Sequence, residues 1–275
     1  MITCSLYIFF NRTDAAYGYV IKPDDLNETR NIISNAKKHS SSRYLLNIDV
    51  KDFFHYVRWQ MIYNALVSLP FNVNDKVAEC ICHLCTLDGR LPMGAPTSPV
   101  LSNIATYSFD KEMERYCKGE QILYSRYVDD MSFSGNEIIT QRHFEQLSGI
   151  ITKYGYELHP EKIKWFSGGD KKIITGLIVQ QGTVAVPQEY SLEVEKEITN
   201  LKTYVLMQTR LQPRKCVDYF LSRPAQKIKG ALAFIESVHG SDNENLLALQ
   251  KKLEEAVQPP VEYESLHWLE IGYTF

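Results

Sequence analysis

The sequence predicts an α+β protein in which a small sheet with helices precedes a helical C-terminal region. Residues 122–127 and 131–134 are rich in Ile, Leu, Tyr, Val and Phe and flank a tight turn, which is typical of a β-hairpin. Residues 44–49 have the composition of a buried strand that runs directly into a helix. After Pro187 the hydrophobic pattern is helical to about Val257.

The remaining elements follow from hydrophobic periodicity and from helix-breaking residues. Pro259-Pro260 ends the last helical pattern ahead of an aromatic tail. We expect further helices over residues 26–38, 53–69, 74–86, 97–116 and 141–154, and a second hairpin over residues 173–186.

Length and composition indicate a folded protein without a membrane segment. With 275 residues, of which 44% are hydrophobic, the chain exceeds the usual size of a single core. No run of 18 or more apolar residues occurs, and the N-terminus lacks a basic region ahead of its apolar stretch. We therefore expect a cytoplasmic protein that does not bind a membrane.

The net charge of −3 does not show the basic excess that is usual for proteins that bind nucleic acids, but one segment does. Between residues 202 and 229 there are seven basic residues and one acidic residue, interleaved with aromatic and aliphatic residues. This pattern fits helices that follow a nucleic-acid backbone, although a solvated helix face would look similar. The basic residues are Lys202, Arg210, Arg214, Lys215, Arg223, Lys227 and Lys229.

The six cysteines show no disulfide framework, and one cluster raises the question of zinc. Cys80, Cys82, His83 and Cys85 lie within a predicted helix. Residues two apart on a helix point to different faces, so these ligands would not converge. The sequence favours a buried helix over a zinc site.

Three aspartates form the strongest functional pattern. Asp129 and Asp130 lie in the predicted hairpin turn, where Asp is common for structural reasons, and Asp49 ends a predicted strand. If the strand and the hairpin are neighbours, the carboxylates would repel each other unless divalent cations bind them. Two Mg²⁺ ions about 3.5–4 Å apart would support an in-line phosphoryl displacement, which predicts nucleotidyl transfer.

Three ordered motifs resemble those of reverse transcriptases, and within that group of the bacterial retron type. They are Asp49, the segment from Leu91 to Pro99, and Tyr127-Val128-Asp129-Asp130. The resemblance extends from about residue 17 to about residue 235. It implies a right-hand polymerase palm, an antiparallel sheet with helices on one face, followed by a helical thumb.

The resemblance implies a division of the chain at about residues 40 and 187. Residues 1–40 would be a lead segment with residual fingers, residues 41–187 the palm, and residues 188–275 the thumb and C-terminal tail. Only 34 residues precede Asn35, so we expect the fingers to be shortened or missing.

Two further motifs favour a retron-type enzyme over a group II intron-like one. Residues 35–39 are similar to the retron Asn-Ala-x-x-His motif, and residues 174–176 are similar to Val-Thr-Gly, with Ile in place of Val. From these motifs and the basic segment we expect RNA binding by Asn35, His39, Thr175, Gly176, Arg214, Lys215 and Lys227.

The remaining site residues take their roles from the resemblance. Asp49, Val50, Asp129 and Asp130 would bind two Mg²⁺ ions, and Lys162 would donate a proton to pyrophosphate, with Lys164 as its competitor. The template and the incoming nucleotide would contact Phe54, Met93, Gly94, Ala95, Pro96 and Tyr127. Met93 replaces the Gln that is common in the family, which removes a polar contact near the sugar.

Phe54 lies five residues after Asp49, so its ring can pack beneath the sugar of a bound nucleotide. A bulky ring there would exclude a 2′-hydroxyl group and select deoxynucleotides. Alternatively Phe53 and Phe54 are both core residues, and strand or helix geometry places at least one of them in the core.

Two hypotheses follow. The first is an RNA-directed DNA polymerase that copies part of a structured noncoding RNA from an RNA 2′-hydroxyl primer, using dNTPs, and produces RNA-linked msDNA. It would act in antiphage defence, with an RNA–DNA hybrid product and an effector protein encoded nearby as partners. The second is a non-catalytic RNA-binding or scaffold remnant of a reverse transcriptase.

Overall fold

The chain folds into two compact units, Met1–Val184 and Ala185–Phe275. A computed structural model describes residue 6 and residues 13–20, 29–211 and 214–257, with every side chain in these ranges except those of residues 208–222. The first unit combines sheets and helices and the second is helical, which confirms the predicted α+β class.

The secondary structure elements follow one another in a mixed order. The helices are α1 Ile32–His39, α2 Phe53–Tyr56, α3 Trp59–Val67, α4 Asp75–Cys85, α5 Ser98–Ala105, α6 Tyr107–Gly119, α7 Gln141–Lys153, α8 Gln188–Leu211, α9 Arg214–His239 and α10 Glu244–Val257. The strands are β1 Tyr44–Asp49, β2 Leu123–Tyr127, β3 Asp130–Gly135, β4 Lys164–Phe166, β5 Lys172–Ile174, β6 Leu177–Gln180 and β7 Thr183–Ala185, and a short 3₁₀ helix spans Pro160–Lys162.

The main sheet has four strands in the order β2-β3-β1-β4, and every neighbouring pair is antiparallel. Side chains alternate between the two faces of a strand. One face carries Leu46 and Ile48 from β1 and Met131 and Phe133 from β3, all of them fully buried. These side chains belong to one hydrophobic core with residues of the helices α3 to α7, so the helices cover this face.

The opposite face of the main sheet is polar, and two other elements cover part of it. His39 from α1 contacts Ser125 and Ser134 on this face through its ring nitrogens. The Asn47 side chain donates a hydrogen bond of 2.7 Å to the Ile173 carbonyl of β5. The polar side chains that these elements cover therefore have hydrogen-bond partners. The end of the sheet that carries Asp49 is not covered in this way and forms one wall of a cavity.

The predicted helix over residues 53–69 is two helices, because the chain between them pairs with another segment. Val57 and Arg58 are extended, with ψ angles of 97° and 157°. The Val57 carbonyl accepts a hydrogen bond from the Leu91 N–H at 3.2 Å, and the Trp59 N–H donates to the Gly89 carbonyl at 2.9 Å. These bonds replace the helical ones, and they hold the segment before residue 93 against the chain between α2 and α3.

The predicted helix over residues 97–116 is likewise divided, at Thr106. The Thr106 hydroxyl donates to the carbonyls of Ser102 and Asn103, at 2.9 and 3.2 Å. A threonine that bonds back onto the preceding turn bends a helix, which accounts for the boundary between α5 and α6.

The second predicted hairpin is a three-stranded sheet in the order β5-β6-β7. Ile174 pairs with Leu177, so Thr175 and Gly176 form a two-residue turn. Both turn residues have positive φ angles, 46° and 83°, as a type I′ turn requires.

The second unit consists of α8, α9 and α10, as the helical pattern after Pro187 predicts. Leu246, Leu249 and Leu253 form the buried stripe of α10. A salt bridge between Lys252 and Glu195 links α10 to α8. Among the described residues, no helix combines the length and the apolar character needed to cross a membrane.

Candidate active site

The sheet register brings the predicted aspartates together. Asp49 at the end of β1 lies directly opposite Asp130 at the start of β3. Asp130 is also paired with Tyr127 of β2, so Val128 and Asp129 form the two-residue turn between the strands. The Val50 N–H donates a hydrogen bond of 3.1 Å to the Asp129 carbonyl, which fixes the turn against the end of β1.

The turn has an unusual backbone conformation. Val128 has a φ angle of 64°, a region that β-branched residues rarely adopt. Two-residue hairpin turns with a positive φ at this first position usually carry glycine there. The surrounding structure must therefore hold Val128 in place.

Residues 15–18 contact this turn along the outer edge of β2. The Arg126 N–H donates to the Ala15 carbonyl at 2.8 Å, and the Tyr17 N–H donates to the Arg126 carbonyl at 2.9 Å. A Cβ atom on Gly18 would lie 2.8 Å from Cγ2 of Val128 and 2.9 Å from its nitrogen. Only glycine allows this close approach without a shift of the turn that carries Asp129.

The aspartates at the turn are harder to ionise than ordinary carboxyl groups. Burial raises the pKa of Asp129, and the charge of Asp49 adds to the effect. Burial, together with the charges of Asp49 and Asp129, raises the pKa of Asp130 to about 6. A site that resists the accumulation of negative charge in this way favours bound cations.

Lys162 supplies a cation at this site. Its Nζ lies 3.0 and 3.1 Å from the two carboxylate oxygens of Asp49, and its side chain is 53% exposed. The hydrogen bond to Asp49 raises the pKa of Lys162, so the amine is protonated at neutral pH. The His159 N–H donates to the Asp49 carbonyl at 2.9 Å, which places the short helix containing Lys162 beside β1.

The oxygen donors of this site fit Mg²⁺ in kind. Asp49, Asp129 and Asp130 supply carboxylate oxygens from adjoining positions, and burial together with neighbouring negative charge raises the pKa values of Asp129 and Asp130. Val50 can add only its main-chain carbonyl. Within residues 6, 13–20, 29–211 and 214–257, no three His, Cys, Asp or Glu side chains are already arranged around a common metal position.

A cavity of about 540 Å³ opens beside the aspartates. Phe53 and Phe54 both line the cavity, but Phe53 is 4% exposed and belongs to the hydrophobic core, whereas Phe54 is partly exposed and packs against that core. The Phe54 ring lies between Phe53 and Tyr19, with centroid distances of 5.5 and 6.3 Å. The other predicted site residues that line the cavity are Asp49, Val50, Met93, Tyr127, Asp129 and Lys162.

The loop before α5 presents Met93 to this cavity. Met93 is 75% exposed, and Gly94 has a φ angle of 83° with open space where a Cβ atom would lie. Thr97 is the N-cap residue but makes no capping hydrogen bond. Instead the Ser98 hydroxyl donates to the Pro92 carbonyl at 2.7 Å and closes the loop. Ala95 and Pro96 lie on this loop and do not line the cavity.

Each of the two retron-like motifs is buried in part. His39 is 1% exposed, and its ring nitrogens lie 2.7 Å from the hydroxyls of Ser134 and Ser125. Asn35 is also 1% exposed. In this structure neither side chain can contact RNA directly, which corrects that expectation: α1 uses this side to pack on the sheet. Thr175 and Gly176 form the β5–β6 turn, with the Thr175 hydroxyl oxygen buried.

The basic segment is described only in part. Lys227 is exposed and forms a salt bridge of 2.7 Å with Glu197. Lys202, Arg223 and Lys229 are exposed as well. The side chains of Arg214 and Lys215, which we expect to bind RNA, lie outside the described residues.

The cysteine cluster follows the interpretation favoured by the sequence. Cys82 and Cys85 face the core from α4, and Cys80 is exposed. Burial raises the pKa of Cys82 to about 11, so its thiol stays protonated at neutral pH. The helix thus separates the side chains that a zinc ion would have to join.

Sequence reasoning missed a buried charge pair directly beneath the turn. Arg126 and Asp110 are 2% and 1% exposed and form a salt bridge of 2.7 Å. The alternation of side chains along the strand could have revealed it. Because Tyr127 faces outward, the preceding residue Arg126 must point into the core. An arginine at an inward position requires a buried partner.

Comparison with known proteins identifies the family. Residues 15–219 match the family described as reverse transcriptase (RNA-dependent DNA polymerase). The chain belongs to this family. The matched region contains Asp49, Asp129, Asp130 and Lys162 together with the sheet that positions them.

Curated relatives of this reverse transcriptase are retron enzymes at modest identity. The chain is 32% identical to the retron Ec83 reverse transcriptase of Escherichia coli over 176 residues, which cover 60% of this chain and 54% of that protein. It is 26% identical to the retron Ec86 reverse transcriptase of the same species, over 82% of this chain and 65% of that protein. The retron Mx162 reverse transcriptase of Myxococcus xanthus is 26% identical, over 68% and 44%. The chain thus spans less than two thirds of the length of these relatives.

Telomerase structures are among the solved structures that are similar to this reverse transcriptase. Telomerase from Candida albicans, in complex with a TWJ fragment of telomeric RNA, has a TM-score of 0.48 and 11% identity, covering 96% of this chain and 52% of that chain. Apo telomerase from Candida tropicalis has a TM-score of 0.43 and 14% identity, covering 79% and 46%.

Proposed function

We propose that this chain is an RNA-directed DNA polymerase of the retron type that copies part of a structured noncoding RNA into DNA. The observation that carries the proposal is the juxtaposition of Asp49 with Asp130, next to Asp129, beside a cavity that Asp49, Asp129 and Lys162 line and Asp130 does not. The membership in the reverse transcriptase family and the similarity to retron enzymes support it.

Asp49, Asp129, Asp130 and the Val50 carbonyl would hold two Mg²⁺ ions at this site. The ions would lower the pKa of the attacking hydroxyl group and neutralise the charge on the reacting phosphate. Lys162, protonated at neutral pH, would donate a proton to the pyrophosphate leaving group. Its ion pair with Asp49 keeps the amine at the edge of the cavity until a nucleotide binds.

The apolar wall of the cavity would select the sugar. Phe54 packs against the rings of Phe53 and Tyr19, and these contacts would restrict its movement away from a bound nucleotide. A 2′-hydroxyl group against this ring would lose its hydrogen bonds to water without gaining others, which disfavours ribonucleotides. Met93, Gly94, Ala95, Pro96 and Tyr127 would contact the template and the base pair.

We also propose domain boundaries, nucleic-acid contacts and partners for this polymerase. Residues 41–187 would be the palm and residues 188–275 the thumb and tail, with Lys227, Arg214 and Lys215 following the backbone of the RNA–DNA hybrid. Thr175 and Gly176 would contact the noncoding RNA. The product would be RNA-linked msDNA, made in the cytoplasm for antiphage defence with an effector protein encoded nearby.

The decisive experiment is primer extension by the purified chain. The chain is incubated with a transcript of the DNA that flanks its gene, dNTPs and Mg²⁺, and DNA products are resolved on a denaturing gel. We expect products that resist alkali and that disappear in the Asp129→Asn and Asp130→Asn variants.

A matched control separates loss of the site from a general effect of Asp-to-Asn substitution. Asp88 is exposed and has a φ angle of 50°, a conformation that Asn also tolerates. The Asp88→Asn variant should extend like the unchanged chain. RNA binding by the unchanged chain without any extension would overturn the proposal in favour of a non-catalytic RNA-binding protein.

A further inference from the structure

We propose that Arg126 and Asp110 are positioning residues that hold the turn carrying Asp129 and Asp130 in its reactive conformation. This inference rests on the proposed polymerase function for its kinetic consequence. Its structural consequence, the affinity of the turn for a divalent cation, does not need the chain to be a polymerase.

Arg126 joins the turn to the helices beneath the sheet. Its Nη1 donates a hydrogen bond of 3.0 Å to the carbonyl of Val128, the residue before Asp129. Its Nε and Nη2 donate to the two carboxylate oxygens of Asp110, at 2.9 and 2.7 Å. Nη2 also contacts the Thr106 hydroxyl at 2.8 Å and the Asn103 side-chain oxygen at 3.1 Å.

Asp110 is in turn fixed by groups from two other parts of the chain, strand β2 and residue 13. It accepts hydrogen bonds from Arg126, from the Tyr124 hydroxyl at 2.9 Å and from the Thr13 hydroxyl at 3.0 Å. Because both members of the pair are buried and fully bonded, the guanidinium group has a single well-defined position. The Val128 carbonyl is therefore held at a defined distance from α6.

The turn needs such a support because Val128 is strained. Releasing its carbonyl would free the peptide bond between Val128 and Asp129, so the strained backbone could relax and Asp129 would move with it. Gly18 lies against the other side of the turn, where a Cβ atom would come within 2.8 Å of Cγ2 of Val128. The Asn103 side chain connects the two supports: its oxygen accepts from Arg126 and its nitrogen donates to the Gly18 carbonyl at 2.9 Å.

Arg126 does not act on the substrate directly. It lies on the buried face of β2, and the cavity beside the aspartates is lined by its neighbours Tyr127 and Val128 instead. Its effect on the reaction must pass through the Val128 carbonyl, which distinguishes it from Lys162.

The test is a set of substitutions that remove the support without leaving a buried charge. Arg126→Met combined with Asp110→Asn removes both charges, an exchange that folded proteins often tolerate. Thr13→Ala is the matched control, because it removes a hydrogen bond to the same Asp110 carboxylate but leaves the Arg126 contact with Val128 intact. Thermal unfolding identifies the variants that fold.

We expect the double variant to lower kcat by about 100-fold, the size of effect that a displacement of about 1 Å produces, with a smaller change in KM for dNTP. Introducing Val128→Gly removes the backbone strain, so the same double substitution should then lower kcat by less than about 10-fold. Equal losses with and without Val128→Gly, or a change in kcat of less than about twofold, would overturn the proposal.

Cation binding separates this inference from the proposed function. Mn²⁺ affinity is measured by electron paramagnetic resonance on the unchanged chain and on each variant. Loss of a residue that orients a metal ligand without touching the metal weakens metal binding by about 10- to 100-fold. We expect a loss of Mn²⁺ affinity of this size in the double variant but not in Thr13→Ala. If the unchanged chain fails to extend a primer, the proposed function fails, and the Mn²⁺ affinities still decide the positioning role.

A second variant covers the case in which the double variant does not fold. Arg126→Lys keeps the charge beside Asp110, but a single ammonium group cannot also reach the Val128 carbonyl in the fork geometry of arginine. The same losses in kcat and Mn²⁺ affinity are expected, and full retention of both would contradict the proposal.

Discussion

Asp49 and Asp130 face each other directly across the pair of antiparallel strands β1 and β3. Like charges in such a cross-strand pair destabilise a sheet. The chain nevertheless places Asp130, partly buried, beside both Asp49 and Asp129, and desolvation together with these two charges raises its pKa to about 6. A folded state that keeps this repulsion is expected where a site is arranged for a cation and not for stability.

Removing the Asp130 charge should therefore stabilise the metal-free protein. The pKa of Asp130 is higher in the folded chain than its ordinary value of 3.8, so the folded chain binds this proton more tightly than the unfolded chain does. Its contribution to the free energy of unfolding consequently falls as the pH rises from about 4 through about 6. In EDTA at pH 8, Asp130→Asn should raise the free energy of unfolding by about 1–3 kcal/mol in urea titrations.

The gain from Asp130→Asn should shrink as the pH is lowered towards about 4, and Asp88→Asn should show no comparable gain. Millimolar Mg²⁺ should stabilise the unchanged chain more than the Asp130→Asn variant, because a ligand that binds only the folded state raises its stability. A variant that is less stable than the unchanged chain at pH 8 in EDTA would contradict the raised pKa.

The two neighbouring phenylalanines should respond in opposite ways to truncation. Phe53 is buried in the core, so Phe53→Ala should lower the free energy of unfolding by about 3–5 kcal/mol. Phe54 lines the cavity, so Phe54→Ala should leave a folded chain that incorporates ribonucleotides. The measurement is the ratio of kcat/KM for dNTP to that for rNTP.

The adjacent Phe53 thus controls for the loss of a ring at this point of the chain. Phe53→Leu, which retains most of the apolar volume, should keep the sugar preference of the unchanged chain. If Phe54→Ala discriminates against ribonucleotides as well as the unchanged chain does, then the gate lies elsewhere in the cavity.

The sequence carried enough information to predict the strands around Asp49 and Asp130, because their alternation and turn residues are local signals. It predicted continuous helices over residues 53–69 and 97–116, and both are divided. Val57 bonds to Leu91, and the bend at Thr106 depends on a hydroxyl that could equally have faced solvent. Local periodicity contains neither of these choices.

The same distinction applies to the site. The aspartates and Lys162 could be picked out from motif order, since their chemistry is specific. The buried role of His39 could not, because a histidine that contacts RNA and one that bridges two serines have the same local sequence. The position of Gly18 against Val128 depends on a contact between residues far apart in the chain, which becomes visible only in the fold.

Lys162 should contribute to the reaction far more than to stability. The Lys162 side chain is 53% exposed, although that of Asp49 is only 15% exposed, and an ion pair with a solvated member contributes about 0–1 kcal/mol, so Lys162→Ala should change the melting temperature little. Loss of a general acid lowers kcat by about 10²- to 10⁴-fold. Single-turnover extension at neutral pH, where the Lys162 amine is protonated, measures this loss in the variant against the unchanged chain.

Lys164 is the matched comparison, because it is an exposed lysine two residues away on β4. Lys164→Ala should keep kcat within a few fold of the unchanged chain. A larger loss for Lys164→Ala than for Lys162→Ala would transfer the role of the acid to Lys164.

His39 should make the protein sensitive to acid through its burial. Burial lowers the pKa of His39 to about 3, so the unfolded chain takes up a proton near pH 6.5 that the folded chain does not. The free energy of unfolding therefore decreases as the pH falls below about 6.5. His39→Gln can still bond to Ser125 or Ser134 but does not titrate. At pH 7.5 the unchanged chain should have the higher free energy of unfolding, and this advantage over the variant should become smaller by pH 5.

RNA affinity at pH 7.5, measured on folded protein by filter binding, should be unchanged in the His39→Gln variant because the imidazole lies inside the protein. A large loss of RNA affinity without a change in the pH dependence of stability would instead place His39 in contact with RNA.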